Sequence, residues 1–335
     1  MDYGDQVKQL WRHHDLGTGD ARYRAMVRYA TMAASSHNTQ PWQFRIEPGR
    51  VWILPDLSRR CPAVDPDDHH LYASLGCALE NLLQAGRAAG LEGHPEYDPS
   101  TTGVKVAFEE TDPFRTALFD AIPRRQCSRV EFNGEPLTEE ESVLIKQAGT
   151  GDGVSVMLIG DDGQKEQVAR YVAEGNRAQF ADDAWSGELK SWIRFSASEA
   201  ADNGDGLYGP VMGSPSVPRW LGLLAMKFGF SAKAQNRKDV RNIQSSSAIA
   251  VLYSEQDDKP HWIEAGRCYE RLALQAAGLG LRTAFINQPV EVAALRPEFA
   301  RFLGIGERRP DLVVRIGHGP ECPRSLRRPL EQVLV

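Results

Sequence analysis

No C-x-x-C pair occurs in this chain, and its five cysteines, at 61, 77, 127, 268 and 322, are odd in number and widely spaced. That pattern argues against a zinc knuckle, a redox dithiol and a disulfide framework, and predicts reduced thiols that are buried or half-buried. No apolar run reaches the roughly 18 residues a membrane span needs. The opening stretch MDYGDQVKQLWRHHD is charged from residue 2 and lacks an apolar core, so no secretory signal is read there and a cytoplasmic protein is expected. No P-loop and no G-x-S-x-G elbow appear. The histidine pairs His13-His14 and His69-His70 do not have H-x-x-x-H spacing, so no metal site is expected. One G-x-G-x-x-G string, GDGLYG at 204–209, follows a helical pattern rather than a strand and reads as loop composition.

What is present is an ordinary globular balance. The 335 residues are 41% hydrophobic and 25% charged, with a net charge of −6. An acidic chain has no global attraction for nucleic acid or anionic membrane. Residues 74–91 (SLGCALENLLQAGRAAGL) and 264–281 (EAGRCYERLALQAAGLGL) match at a constant offset, sharing Gly76/Gly266, Glu80/Glu270, Leu82/Leu272, Gly90/Gly280 and Leu91/Leu281. Both read as buried helices closed by glycine. A β-prone run precedes each, at 50–56 and 247–255, and a short extended segment follows. Two related halves are expected, 1–120 and 121–335, joined near 111–124.

Thr138-x-x-Glu141 forms a capping-box pattern opening a helix over 138–148, and 154–159 reads as a strand. Helices are expected over 164–182 and 185–200. From 202 to 220, glycine and proline interrupt regular structure, and the apolar run WLGLLAMKFGF (220–230) follows. Such an excursion suggests a flap. We expect 202–236 to form a lid, with the apolar run buried against a cleft.

Three polar clusters could carry chemistry. Ser35-Ser36-His37-Asn38-Thr39-Gln40-Pro41-Trp42 supplies donors and acceptors suited to the edge of a heteroaromatic ring; equally, it could cap a helix and lead into a strand. Arg124-Arg125-Gln126-Cys127-Ser128-Arg129 could grip a phosphate or form a solvated basic turn. Arg324-Ser325-Leu326-Arg327-Arg328-Pro329 offers the same two readings.

Together these segments resemble the nitroreductase superfamily. Ser-Ser-x-Asn-x-Gln-Pro-Trp-x-Phe (35–44) is similar to its flavin-edge motif. Arg125-Gln-Cys-Ser-Arg129 with Phe132 resembles its phosphate-binding opening, and Arg327-Arg328-Pro329 its closing basic motif. GLGLRTAFINQP (278–289) resembles the loop passing the flavin N5. The order, with the Ser-Asn-Gln-Pro-Trp element in a different half from the rest, resembles the Acg-type single-chain branch. Two departures stand out: Cys127 replaces the usual hydroxyl residue, and Ile286-Asn287-Gln288 replaces an acidic-Gly pair.

The resemblance implies an α+β, nitroreductase-like fold: an intramolecular pseudo-dimer with mainly antiparallel sheets, central buried helices and one FMN. Arg125, Cys127, Arg129 and Arg327 would hold the phosphate. Ser35, Ser36, Asn38 and Gln40 would line the ring edge, with Asn287 and Gln288 near N5. The implied activity is NAD(P)H-dependent hydride transfer to small electron-poor acceptors such as nitroaromatics or quinones, by a monomer or weak homo-oligomer. An FMN store with little turnover and a biosynthetic flavin oxidase or dehydrogenase are the alternatives. No protein catalytic residue is expected, because the flavin carries the chemistry.

Overall fold

Four strands of the N-terminal part, β1 (Trp42–Glu47), β2 (Arg50–Pro55), β3 (Leu91–Asp98) and β4 (Gly103–Glu110), form an antiparallel sheet in the order β1-β2-β4-β3. The later strands are β5 (Val154–Ile159), β6 (Ile193–Arg194), β7 (Leu207–Tyr208), β8 (Ala248–Ser254), β9 (Arg282–Phe285) and β10 (Arg309–Gly317). Of these, β5-β8-β10-β9 form a second antiparallel sheet, while β6 and β7 pair with each other in parallel. The computed structural model describes residues 2–335. It is α+β, and its two sheets have the same strand order, each with a 20-residue helix between its second and third strands.

Those helices, His69–Ala88 and Lys259–Gly278, cross at the centre of the molecule. Every residue of the first except Arg87 is buried. Glycines permit the close approach. A methyl group on Gly76 would overlap the Ile263 carbonyl, and one on Gly266 would overlap the Ala73 carbonyl. Both helices end as expected, with Gly90 and Gly280 in the left-handed region at φ 76° and 78°. They begin about five residues earlier than the apolar pattern indicated. Asp65 accepts hydrogen bonds from the His70 and Leu71 amides at 3.0 Å and so satisfies the first turn from outside the helix.

The expected capping box is present, with Thr138 and Glu141 exchanging hydrogen bonds at the start of helix Glu139–Ala148. The helix expected over 185–200 divides into Asp183–Trp192 and Ala197–Asn203, with β6 between them. Ser196 restarts the helix by accepting from the Glu199 amide, and Arg194 is drawn to Asp205 at 2.6 Å.

The excursion departs further from expectation. Residues 219–229 form a helix, and Trp220 and Phe228 are 69% and 78% exposed. The prolines at 210, 215 and 218 all precede this helix, so nothing inside the run breaks it. Gly222 and Met226 form its docking face, where a methyl on Gly222 would overlap the Phe195 ring, and Arg219 pairs with Glu199. The apolar run is therefore held at its inner face and not buried as a whole. Among the described residues, no helix is long and apolar enough to cross a membrane. All five cysteines are free, with Cys61, Cys77 and Cys268 buried.

Candidate functional site

Arg125, Cys127 and Arg129 alternate along an extended segment. Cys127 bridges Thr283 of β9, and the Ser128 amide donates to the Thr283 carbonyl at 2.8 Å. Period-two geometry puts the three side chains on one side, where all line a small cavity of about 60 Å³. Arg324 and Arg327 enter its wall from the C-terminal segment, and both guanidinium groups lie over the Trp11 ring. Four arginines therefore converge. Among the described residues, the only ion pair any of them makes is Arg125 with buried Glu270, at 3.0 Å. The positive charge is in excess and partly desolvated, as an anion site requires.

The four are not equivalent. Arg327 is spent on structure, donating to the carbonyls of Thr31, Met32 and Ala33 and to Asn38 Oδ1. Burial, reinforced by Arg125, lowers its pKa to about 9. Burial likewise lowers Arg324 to about 10. Arg125 donates to the Met32 carbonyl at 3.2 Å and keeps Nη1 unpartnered. The guanidinium of Arg129 has no hydrogen-bond or ion-pair partner among the described residues.

The Ser-Ser-His-Asn-Thr-Gln segment lies against this cluster in a strained form. His37, Asn38 and Gln40 hold φ of 47°, 55° and 53°, a conformation that costs about 1–3 kcal/mol per residue unless the surroundings enforce it. They do. Asn38 Nδ2 donates to the carbonyls of Gly206 and Leu326, while its Oδ1 accepts from Arg327 at 3.0 Å. Gln40 Nε2 donates to the Gly204 carbonyl at 2.9 Å, and its Oε1 accepts from the Arg328 amide at 2.7 Å. The GDGLYG string is thus a docking strip for these two amides. Asn38 still lines the small cavity, whereas Gln40 is fully buried and reaches neither cavity wall.

Ser35 and Ser36 border a larger cavity of about 280 Å³. It shares Ala34, Ser35, Arg129, Leu207 and Phe285 with the small one, so the two are continuous at Arg129. Asn287 and Gln288 lie on its wall. Asn287 Oδ1 accepts from the Val313 amide at 2.8 Å, and Gln288 Nε2 donates to Asn176 at 3.2 Å, which leaves Gln288 Oε1 unpartnered. Leu207, Met212 and Phe230 close the same cavity from the excursion. Every site residue expected from the sequence except Gln40 therefore lies on one of two adjoining cavities, drawn from segments more than 280 residues apart.

Several cavity groups were not foreseen. His37 Nδ1 has no partner, and burial, with Arg129 nearby, lowers its pKa to about 4. His70 stands on the opposite principle. Burial opposes its charge, but the hydrogen bond and charge of Asp65 outweigh that and raise it above the usual histidine value. Its neighbour His69 bonds Asp311 at 2.9 Å. Burial raises the carboxyl pKa of Asp311 to about 7. Asp65, His69 and His70 offer ligand atoms within 4.8 Å of one another, but each histidine is already engaged by a carboxylate. The paired His69-His70 in the sequence was the available signal. Its meaning required Asp65 and Asp311, which come from separate parts of the fold.

An α+β protein with two sheets of identical strand order, paired central helices and an arginine-walled double cavity is what fold and site define. No protein-family model matches the chain. A Mycobacterium tuberculosis H37Rv protein provisionally named an NAD(P)H nitroreductase is 28% identical, covering 93% of this chain and 90% of its own. A second protein of that organism, provisionally named NAD(P)H nitroreductase acg, is 25% identical over 92% of this chain and 94% of its own. A solved nitroreductase with bound FMN from Desulfitobacterium hafniense is similar over 64% of this chain and 95% of its own, at 13% identity and a TM-score of 0.38. Over nearly its whole length the chain is similar to proteins provisionally named NAD(P)H nitroreductases.

Proposed function

We propose that this protein is an FMN-dependent oxidoreductase that moves hydride between NAD(P)H and a small electron-poor acceptor, with one FMN held between two nitroreductase-like halves of a single chain. The observation that carries this reading is the unpartnered Arg129 guanidinium at the junction of the two cavities. A phosphate in the small cavity would give it a counter-ion, together with the free Nη1 of Arg125. The rest of the donor set fits. Cys127 is a weak donor beside the phosphate position, and Arg324 and Arg327 add charge. The larger cavity sets the Ser35 and Ser36 hydroxyls, Gln288 Oε1 and Asn287 beside apolar groups such as Leu207 and Phe285, which suits a flat ring with a polar edge. The relatives named NAD(P)H nitroreductases and the FMN-bound neighbour support the same cofactor and reductant.

FMN, when bound, supplies reversible two-electron hydride exchange. This chain's residues bind and orient it. The arginines anchor one end, Asn38 and Gln40 lock the backbone that forms the wall between the halves, and the excursion restricts water and acceptor size. Quinones and nitroaromatics are acceptor classes suited to a cavity that offers both apolar surface and hydrogen-bonding groups. Correspondence of the two sheets and of the helices offset by 190 residues supports division into halves 1–120 and 121–335. Only one half carries the arginine segment, which accounts for a single site.

Purified protein should be yellow, with close to one FMN per chain by absorbance against protein concentration, and anaerobic NADPH should bleach it. Two flavins per chain, or protein that resists FMN reconstitution, would sink the reading. Binding without bleaching would indicate storage in place of turnover.

A further inference from the structure

We infer that His70, oriented by Asp65, is the proton donor for acceptors reduced in the larger cavity. The inference rests on the reading of this cavity as the place where an acceptor is reduced. His70 lines that cavity, yet it is buried at the first turn of a central helix. Its amide donates to Asp65 Oδ1 at 3.0 Å, and its Nδ1 lies 3.4 Å from the same oxygen. Asp65 in turn is fixed by the Leu71 amide at 3.0 Å. This carboxylate therefore sets both the ring's position and its tautomer. Nε2 is left with no partner among the described residues. A buried polar nitrogen without a partner costs about 1–3 kcal/mol, and one on a cavity wall is satisfied by whatever occupies the cavity.

The electrostatic surroundings select His70 over its neighbours. Around it lie Asp65 from the preceding loop, His69 on the same helix, His37 from the Ser36–Asn38 turn, Glu291 from the Gln288–Glu291 turn, and Arg309 and Asp311 from β10. His37 shares the cavity but is held neutral. Glu291 is engaged by Gln179 Nε2 at 2.6 Å. His69 points to Asp311. His69 also pairs a carboxylate with an unpartnered nitrogen, its Nδ1, but it does not line the cavity; among the described residues only His70 combines the two on the cavity wall. Two titratable groups driven apart by their environments are the usual mark of divided acid and base roles.

The chemistry balances without a further reagent. Reduction of a quinone requires two electrons and two hydrogens. The reduced nicotinamide supplies both electrons and one hydrogen as hydride. The Nε2–H bond of the His70 imidazolium breaks, an O–H bond forms on the quinone oxygen, and the ring is left neutral and takes a proton from water before the next turnover. Ser36 and Ser74 lie on the same cavity wall as His70.

The test uses full-length protein labelled with nitrogen-15 at histidine and titrated by NMR with and without FMN. One ring should titrate above the ordinary value of about 6.5. Its signal should vanish in His70→Gln and shift to lower pH in Asp65→Asn, which keeps the ring and removes the carboxylate's charge. In parallel, NADPH-driven quinone reduction should lose activity as pH rises through that titration. His70→Gln should lower kcat about a hundred-fold, with KM little changed and the solvent isotope effect lost. The proposal is overturned if His70 titrates at or below the ordinary value, or if His70→Gln keeps the wild-type pH profile and isotope effect. Should His70→Gln fail to fold, an Asp65→Asn profile identical to wild type overturns it. Protein that takes up no FMN would defeat the cofactor reading alone, because the histidine titration needs no flavin.

Discussion

Gly76 and Gly266 occupy each other's crossing point. Gly76 lies under the backbone of Ile263 and Gly266 under that of Ala73, and Gly266 follows Gly76, as Ile263 follows Ala73, by the same 190 residues. The contact between the central helices is thus reciprocal. Alanine at either glycine meets backbone atoms that no side-chain rotation can clear. Gly76→Ala and Gly266→Ala should each cost about 3 kcal/mol or more, measured by urea unfolding, and the two costs should be alike. Gly187→Ala, on helix Asp183–Trp192 with nothing near its added methyl, should instead stabilise by about 0.5–1 kcal/mol. A tolerated Gly76→Ala would mean the helices sit farther apart than described.

Arg129→Ala should weaken FMN binding about ten- to a hundred-fold, since a charge-assisted contact contributes about 1.5–3 kcal/mol. Asn38→Ala should weaken it less directly, by releasing Gly206, Leu326 and Arg327 together. Arg125→Ala carries a second penalty. It leaves Glu270 buried without its partner, which costs about 3–5 kcal/mol of stability. FMN titration of apoprotein, read beside an unfolding curve for each variant, separates the two effects. Unchanged affinity in Arg129→Ala would remove the phosphate from the small cavity.

Acid should destabilise the fold through His37. Its folded pKa of about 4 lies below the unfolded value of about 6.5, so the unfolded chain binds the extra proton between them. Stability is therefore retained above about pH 6.5 and lost as pH falls toward 4. His37→Asn tolerates the positive φ and removes the titrating ring. The urea midpoint of the variant should fall less than that of wild type between neutral pH and about pH 5. Parallel losses would place the acid sensitivity elsewhere.

The exposed helix Arg219–Gly229 should be expendable for folding. Trp220→Gln with Phe228→Gln should change stability by no more than about 0.5 kcal/mol, because neither ring is buried. Replacing residues 213–229 with a short Gly-Ser linker leaves the Gly204 and Gly206 clasp intact. It should yield soluble protein whose flavin is reduced faster and which accepts bulkier quinones, measured by stopped-flow absorbance. Unchanged rates would show that the segment does not restrict entry.

Much of this was legible because it is periodic or local. The helix offset, the glycine stops at Gly90 and Gly280, the Thr138–Glu141 box and the strand at 154–159 follow from spacing alone. The early start of helix His69–Ala88 was not, because its first turn is satisfied by Asp65 from outside the helical pattern. Nor was the exposure of Trp220 and Phe228, since hydrophobicity says that a residue favours burial, not that a partner surface exists for it. The GDGLYG string reads in the sequence as loop composition, and its use as an anchor for Asn38 and Gln40 could be seen only once residues 164 to 168 positions apart had met.

The sequence by itself determined two buried, glycine-closed helices at a constant offset and the residue types of an anion site, because propensity, period and charge are properties of neighbours along the chain; the α+β class and the packing of those helices followed from the resemblance. Tertiary structure alone decided which arginine is free and which histidine is pushed toward its charged form. Arg129, Arg125 and Arg327 are chemically the same group. Glu270 pairs with one and backbone carbonyls consume another, so only Arg129 lacks a partner. His37 and His70 share one cavity wall, yet the guanidinium of Arg129 lies near the first and the carboxylate of Asp65 binds the second. Burial disfavours the charged form of both rings; it prevails at His37, where Arg129 adds to it, and is outweighed at His70 by the hydrogen bond and charge of Asp65.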